Sequence, residues 1–160
     1  VLKAFAELKN ENVVFYILGD GNKRRDFEKL AETLGAENVK FLGSVHQNQV
    51  LMCIEQCDFT VLSLSPNPLI SLTIPAKFQT YLAAGKPILA ITNGEVATMV
   101  KTLGLGLAAA PSVDEVINEL ISTKKSEYPL WEKNVRSAQA LFKRERCIEK
   151  ITDSFYHTHA

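Results

Sequence analysis

The residues best placed to do chemistry lie in one stretch, "SLTIPAKFQTYLAAGKPILAI", residues 71–91. Ser71 and Thr73 lead into Pro75, and Lys77, Thr80 and Tyr81 follow. A proline fits the first turn of a helix because its missing N–H would have no partner there. Ser71 or Thr73 is placed to cap that helix. Such a helix start offers free backbone N–H groups and a positive dipole end, which bind phosphate without any cationic side chain. Lys77, one turn in, reaches a phosphate or a hydroxyl, or it is a solvated surface lysine. Spacing alone leaves both open. Tyr81 shares the Lys77 face and reads as core packing more readily than as a ligand contact.

Gly19-Asp20-Gly21 ends an apolar run and lets a ligand approach the backbone, although a glycine pair there also makes a plain tight turn. The run is no dinucleotide fingerprint, since Asn22-Lys23-Arg24 follows without a third glycine. It also lacks the Gly-Lys-Ser/Thr of a phosphate-binding P-loop. Ser63, Ser65 and Ser71 have no base at readable spacing, and the acids near this edge are Asp20, Asp58 and Glu95. Neither a nucleophilic triad nor a carboxylate pair results, so chemistry here rests on positioning and electrostatics. Cys53, Cys57 and Cys147 make no disulfide framework. With only His46 nearby, Cys53 and Cys57 fall short of a metal set and are expected to be buried small apolar residues. His157 and His159 belong to the chain end.

These residues need elements to position them. Residues 12–21 form a continuous apolar run, expected to be a strand buried on both faces. Residues 23–35 carry Phe27, Leu30, Ala31 and Leu34 at helical spacing, with Gly35 as the stop. Residues 38–43 read as a strand, 48–57 as a helix and 58–64 as a strand. Residues 65–72, with two prolines, read as a loop. Residues 74–85 read as a helix, 86–92 as a strand, 95–104 as a helix and 105–110 as a weak edge strand. Residues 112–122 form a helix with a Ser112/Glu115 capping box. From Tyr128 the pattern is helical to the end, and residues 1–10 are helical as well. Strict β-α alternation implies an α/β fold with a Rossmann-like, doubly wound parallel sheet. Ligands of such sheets bind at the carboxyl ends of the strands. The loop at residues 63–75 is the longest at that edge, and long loops in compact domains are usually functional.

The composition suits one domain of 160 residues, with 46% hydrophobic and 22% charged residues. Eighteen basic residues balance eighteen acidic ones, so no strong field favours nucleic acid as a partner. No apolar run approaches the roughly 18–20 residues that span a bilayer, and residues 1–10 do not read as a secretory leader. Opening inside a helical pattern without Met points to a fragment of a longer chain.

"VFYILGDGNKRRDFEKLAETLGAENVKFLGSV", then "CDFTVLSL" and "YLAAGKPILAI", resemble the C-terminal, donor-binding domain of GT-B glycosyltransferases. Within them the chain is similar to the retaining group 1 family (family 4), and "TIPAKFQTYLAAGKPIL" looks like the branch that makes bacterial surface polysaccharides. The resemblance covers about residues 1–125 in order. It implies a nucleotide-diphosphate sugar as substrate, with no cofactor and no metal required by this domain. It sets Gly19 and Gly21 close to the donor, and Ser44 and Val45 against the base. The helix start from Ser71 through Thr73 to Ala76 faces the diphosphate, with Lys77 nearby. The family's ribose-binding Glu falls at Thr80, and a second, sugar-contacting Glu falls at Leu72; neither carboxylate is present here.

The resemblance further implies that the sheet lacks its first strand and the basic residues after it. Both would precede Val1, as would an N-terminal domain holding the acceptor site and the catalytic group. Residues 1–160 are then one nucleotide-sugar-binding domain of a two-domain chain, inactive alone. Residues 128–155 resemble the segment that crosses back to the other domain. Full length, the expectation is a hexosyltransferase-like enzyme of polysaccharide biosynthesis. It would be cytoplasmic, with peripheral association at the inner membrane face. A catalytically inactive GT-B-like partner subunit is the alternative that Thr80 and Leu72 favour. A sugar-nucleotide 2-epimerase ranks below both, for want of acids and a His around the cleft.

Overall fold

The computed structural model describes residues 1–142. Five strands alternate with helices: α1 (Leu2–Glu7), β1 (Phe15–Leu18), α2 (Arg24–Thr33), β2 (Val39–Gly43), α3 (Gln47–Glu55) and β3 (Thr60–Ser63). They continue through α4 (Pro68–Ser71), α5 (Ala76–Ala83), β4 (Ile88–Ile91), α6 (Glu95–Thr102), β5 (Gly106–Ala109), α7 (Val113–Ser122) and α8 (Tyr128–Gln139). The α/β alternation read from the sequence is therefore present.

β4 explains the layering. All four of its residues are buried, and successive side chains on a strand point to opposite faces. Leu89 and Ile91 join a core with Leu2, Phe5, Val116 and Trp131, from α1, α7 and α8. Ile88 and Ala90 join a second core with Phe78, Leu82, Val96, Val100 and Val135, from α5, α6 and α8. Helices thus cover both faces, as a doubly wound parallel sheet requires.

All pairings are parallel, but they form two sheets among the described residues: β1–β2, and β3–β4–β5. β1 and β3 each keep an unpaired edge. Phe15 and Ile17 of β1 and Val61 of β3 pack on the same core as Leu89. Hydrophobic contact, rather than a hydrogen-bond ladder, therefore joins the two. In a doubly wound order the lane between them is the central one.

Several expectations are corrected. β1 is only half-covered: Phe15 and Ile17 face the core, whereas Tyr16 and, just before the strand, Val14 face the other way and are 46% and 48% exposed. Phe27 is 46% exposed, and Ala31 is the one buried residue of α2. Residues 68–71 are helical rather than loop: Asn67 accepts from the Leu69 N–H and Pro68 takes the first turn. Cys53 and Cys57 are half-buried rather than buried: α3 buries Ile54 but leaves Leu51 and Met52 exposed, and Cys57 lies past its end. The Cys57 thiol donates to the Cys53 carbonyl at 3.3 Å. Of the Ser112/Glu115 capping box, the half in which the Glu115 N–H donates to the Ser112 hydroxyl is present at 3.2 Å. α8 is helical to Gln139 and is followed by a 3-10 turn at Ala140–Phe142. Cys147, His157, His159 and the rest of the expected closing helix lie outside the described residues.

Candidate functional site

Four loops leave the carboxyl ends of β1 to β4, and close backbone contacts join them in two pairs. In the first pair, the Gly19 N–H donates to the Gly43 carbonyl at 2.7 Å. The β1–β2 register slips at this point, and Leu18 faces Gly43. Gly43 adopts φ +72, a left-handed conformation that a side chain would strain. A Cβ there would also lie 2.8 Å from Nη1 of Arg24. Arg24 opens α2, and its Nε donates to Glu28 at 2.7 Å while Nη1 lies 3.6 Å from Asp20. The bond to Glu28 leads, and with the Glu28 and Asp20 charges it raises the Arg24 pKa. Gly21 accepts from the Arg24 N–H at 2.9 Å and has open space where a side chain would be. Beyond Gly43, Ser44 is exposed and Val45 half-buried. His46 caps α3, its backbone N–H donating to the Gln49 side chain at 3.2 Å.

In the second pair, the loop after β4 packs on the end of α4. A Cβ on Gly94 would lie 2.4 Å from the Ser71 carbonyl oxygen, so only glycine admits this approach. Gly94 is also the N-cap of α6. The Ser71 hydroxyl donates to the Asn67 carbonyl at 2.8 Å, and the Thr73 hydroxyl donates to the Ile70 carbonyl at 2.8 Å. Neither caps α5, contrary to expectation, because each hydroxyl is held by its own turn. α5 starts at Ala76 with Pro75 as its N-cap, and no side chain bonds its first N–H groups.

Lys77 is exposed in that first turn. Thr80 is exposed one turn on, and its hydroxyl donates back to the Ala76 carbonyl at 3.3 Å. Tyr81 packs on the second core, and burial raises its pKa. Leu72 is 75% exposed.

The structure thus joins Gly19 to Gly43, which Ser44 and Val45 follow, and bonds Gly21 to Arg24, whose guanidinium lies against Gly43. It brings Ser71 against the β4 loop, with Thr73, Lys77 and Thr80 following along the chain. Sequence reasoning missed Arg24, Gly43 and Gly94. Gly43 closes β2 and Gly94 stands in the turn between β4 and α6, so the signal for both is a glycine at or just past the end of a strand. Nothing local announces the Arg24 contact.

A polar cleft lies elsewhere, beside the turn into β4, lined by Glu55, Lys86, Glu132, Arg136 and Gln139. Lys86 and Glu132 approach to 3.9 Å there. It is at the opposite end of the strands from the four loops. Among the described residues no group of three or more His, Cys, Asp and Glu gathers to hold a metal. No helix among them is long and apolar enough to cross a membrane.

The sequence profile of the family "Glycosyl transferases group 1" matches residues 1–141. Among curated proteins no sequence matches. WaaG, a glycosyltransferase involved in lipopolysaccharide biosynthesis, superposes with a TM-score of 0.70 at 22% identity, over 95% of this chain and 41% of its own. Anabaena HepE in complex with UDP and glucose superposes with a TM-score of 0.72 at 19% identity, over 98% of this chain and 43% of its own. The sucrose-phosphate synthase of Thermosynechococcus elongatus superposes with a TM-score of 0.72 at 18% identity, over 98% of this chain and 42% of its own. The chain therefore spans about two-fifths of each of these structures, and at such identities the likeness shows the fold.

Proposed function

The chain belongs to the group 1 glycosyl transferases, and from that premise we propose that it is the donor-binding half of a retaining transferase. The enzyme moves a sugar from a nucleotide-diphosphate donor to a polysaccharide or lipid-linked acceptor. One observation carries the reading: the first turn of α5 has no side-chain cap and carries an exposed lysine, Lys77. Backbone N–H groups and a positive helix end at the carboxyl edge suit a diphosphate. As the sugar–oxygen bond breaks and the acceptor oxygen takes the sugar, charge grows on the departing nucleoside diphosphate. Preorganised donors at that point stabilise it. The helix end and Lys77 then supply positive charge without a metal.

In this reading Gly19, Gly21, Ser44 and Val45 receive the nucleoside side, and Ser71, Thr73, Lys77 and Thr80 line the diphosphate and ribose side. A strand from upstream of Val1 fills the lane between β1 and β3, and an N-terminal domain supplies the acceptor site. The cytoplasmic face of the inner membrane is the setting. The HepE structure, which holds UDP and glucose, supports a nucleotide-sugar donor.

The test is thermal stability of the full-length protein with UDP, GDP and ADP compounds. One of them raises the midpoint, and Lys77→Ala removes the shift. No shift with any of them contradicts the reading.

A second reading, an inactive GT-B-like partner subunit, is favoured by one specific feature. Neither Thr80 nor Leu72 is a carboxylate, and the Thr80 hydroxyl is already bonded to its own helix. Donor turnover by the full-length protein separates the two readings.

A further inference from the structure

We propose that Arg24 is a positioning residue of the donor site, clamping the Gly19–Gly21 turn onto the loop that begins at Gly43. The inference rests on the donor-half reading above. An exposed i,i+4 ion pair by itself contributes little and often nothing. Arg24 does more than pair along its helix. Its side chain is 29% exposed, and its guanidinium lies over the backbone of a different loop, at the point where Gly43 lacks a Cβ.

That point is also where the two loops are joined by the Gly19–Gly43 hydrogen bond. One residue, Gly43, therefore carries three features: a left-handed backbone, a carbonyl that holds Gly19, and a guanidinium packed against it. Two carboxylates orient that guanidinium. Glu28 takes its Nε at 2.7 Å from the helix side, and Asp20 faces Nη1 at 3.6 Å from the turn itself. Among the described residues Nη2 makes no hydrogen bond or ion pair. The planar fork is thus held at one edge and keeps donors to spare. Asp20, the middle residue of the turn, thus meets Arg24, which adds a side-chain contact to the backbone bonds at Gly19 and Gly21. A lysine, a point charge on a flexible stem, cannot both hold Glu28 through Nε and cover Gly43.

The experiment is donor titration of the full-length protein and of Arg24→Ala, Arg24→Lys and Glu28→Gln, with Arg25→Ala as the neighbouring exposed control. The probe is whichever of the UDP, GDP and ADP compounds stabilises the unmutated protein. Arg24→Ala is expected to raise the donor Kd and KM about tenfold, roughly 1.4 kcal/mol, while the acceptor KM stays within about twofold. Arg24→Lys recovers little of this, and Arg25→Ala behaves as the unmutated protein. If Arg24→Ala does not fold, Glu28→Gln carries the test, with an expected rise of a few-fold in donor Kd.

A lower melting midpoint with unchanged donor Kd makes Arg24 merely structural and overturns the proposal. So does full rescue by lysine. If the unmutated protein binds none of the nucleotides, the donor-half reading falls and the role of Arg24 falls with it. If it binds one and Arg24→Ala binds equally well, only the Arg24 proposal falls.

Discussion

Replacing Thr80 by glutamate should tighten nucleotide binding. Thr80 sits on the exposed side of α5, and its hydroxyl donates to the Ala76 carbonyl at 3.3 Å. Its proton is therefore spent on the helix, and what remains for a ribose is a neutral acceptor. A net hydrogen bond between neutral groups contributes about 1 kcal/mol, and one to a charged group about 1.5–3 kcal/mol. Glutamate at position 80 loses the hydroxyl's bond to Ala76, which is weak at that length, and offers two charged oxygens to the ribose hydroxyls. Thr→Glu is also mildly favourable in a helix interior, by a few tenths of a kcal/mol.

The difference, about 0.5–2 kcal/mol, corresponds to roughly 2- to 30-fold in Kd. Since position 80 is exposed, the substitution should leave the fold intact, and the melting midpoint without nucleotide should move little. Titration calorimetry of the full-length protein against the cognate nucleoside diphosphate reads the effect. An unchanged or weaker Kd with an unchanged midpoint would refute the reasoning, because position 80 would then not face the ribose. Loss of turnover together with tighter binding would instead place Thr80 in a site tuned for release.

Three further outcomes follow from the packing. Gly94→Ala puts a Cβ 2.4 Å from the Ser71 carbonyl oxygen on a backbone at φ +103, so a loss of about 1–3 kcal/mol is expected. Chemical denaturation measures it, and an unchanged midpoint would mean the two loops part freely. Phe78→Ala empties a fully buried position in the second core and should cost about 3–5 kcal/mol by the same measurement. Burial raises the Tyr81 pKa, and burial with the Asp58 charge raises that of Tyr128. The unfolded chain therefore loses these protons first, from about pH 10. The unfolded state then binds fewer protons than the folded one, so stability falls as pH climbs above that value. Tyr81→Phe should flatten part of that decline in denaturation midpoints followed from pH 8 to 11.

Much of the fold was legible because burial leaves its mark on the sequence. The Ile88–Ile91 run is apolar throughout and is buried throughout. The same reasoning failed at β1, whose run is as apolar but whose Tyr16 face is left uncovered. Periodicity reports the environment a strand is suited to, and an uncovered face leaves the residues unchanged. Phe27 fails likewise: it stands at helical spacing, yet α2 does not turn it fully inward. α4 was hidden by the prolines at 66 and 68, although Asn67 followed by Pro68 is itself a helix start, a side-chain cap with proline in the first turn.

At the site, the uncapped first turn of α5 was nearly legible. Its boundary was not, because Ser71 and Thr73 hydroxyls bond within their own turns rather than to α5. Arg24 was out of reach of any local rule, since its contact with Gly43 joins residues that only the β1–β2 pairing brings together.

Amide hydrogen exchange of the full-length protein, with and without the cognate nucleoside diphosphate, tests the donor-half account most directly. The account predicts protection in residues 19–24, 43–46 and 71–78, with the α5 amides at 76 and 77 slowed most and α8 unchanged. Protection confined to other regions, such as the cleft beside Lys86 and Arg136, or no protection with any nucleotide, would contradict it.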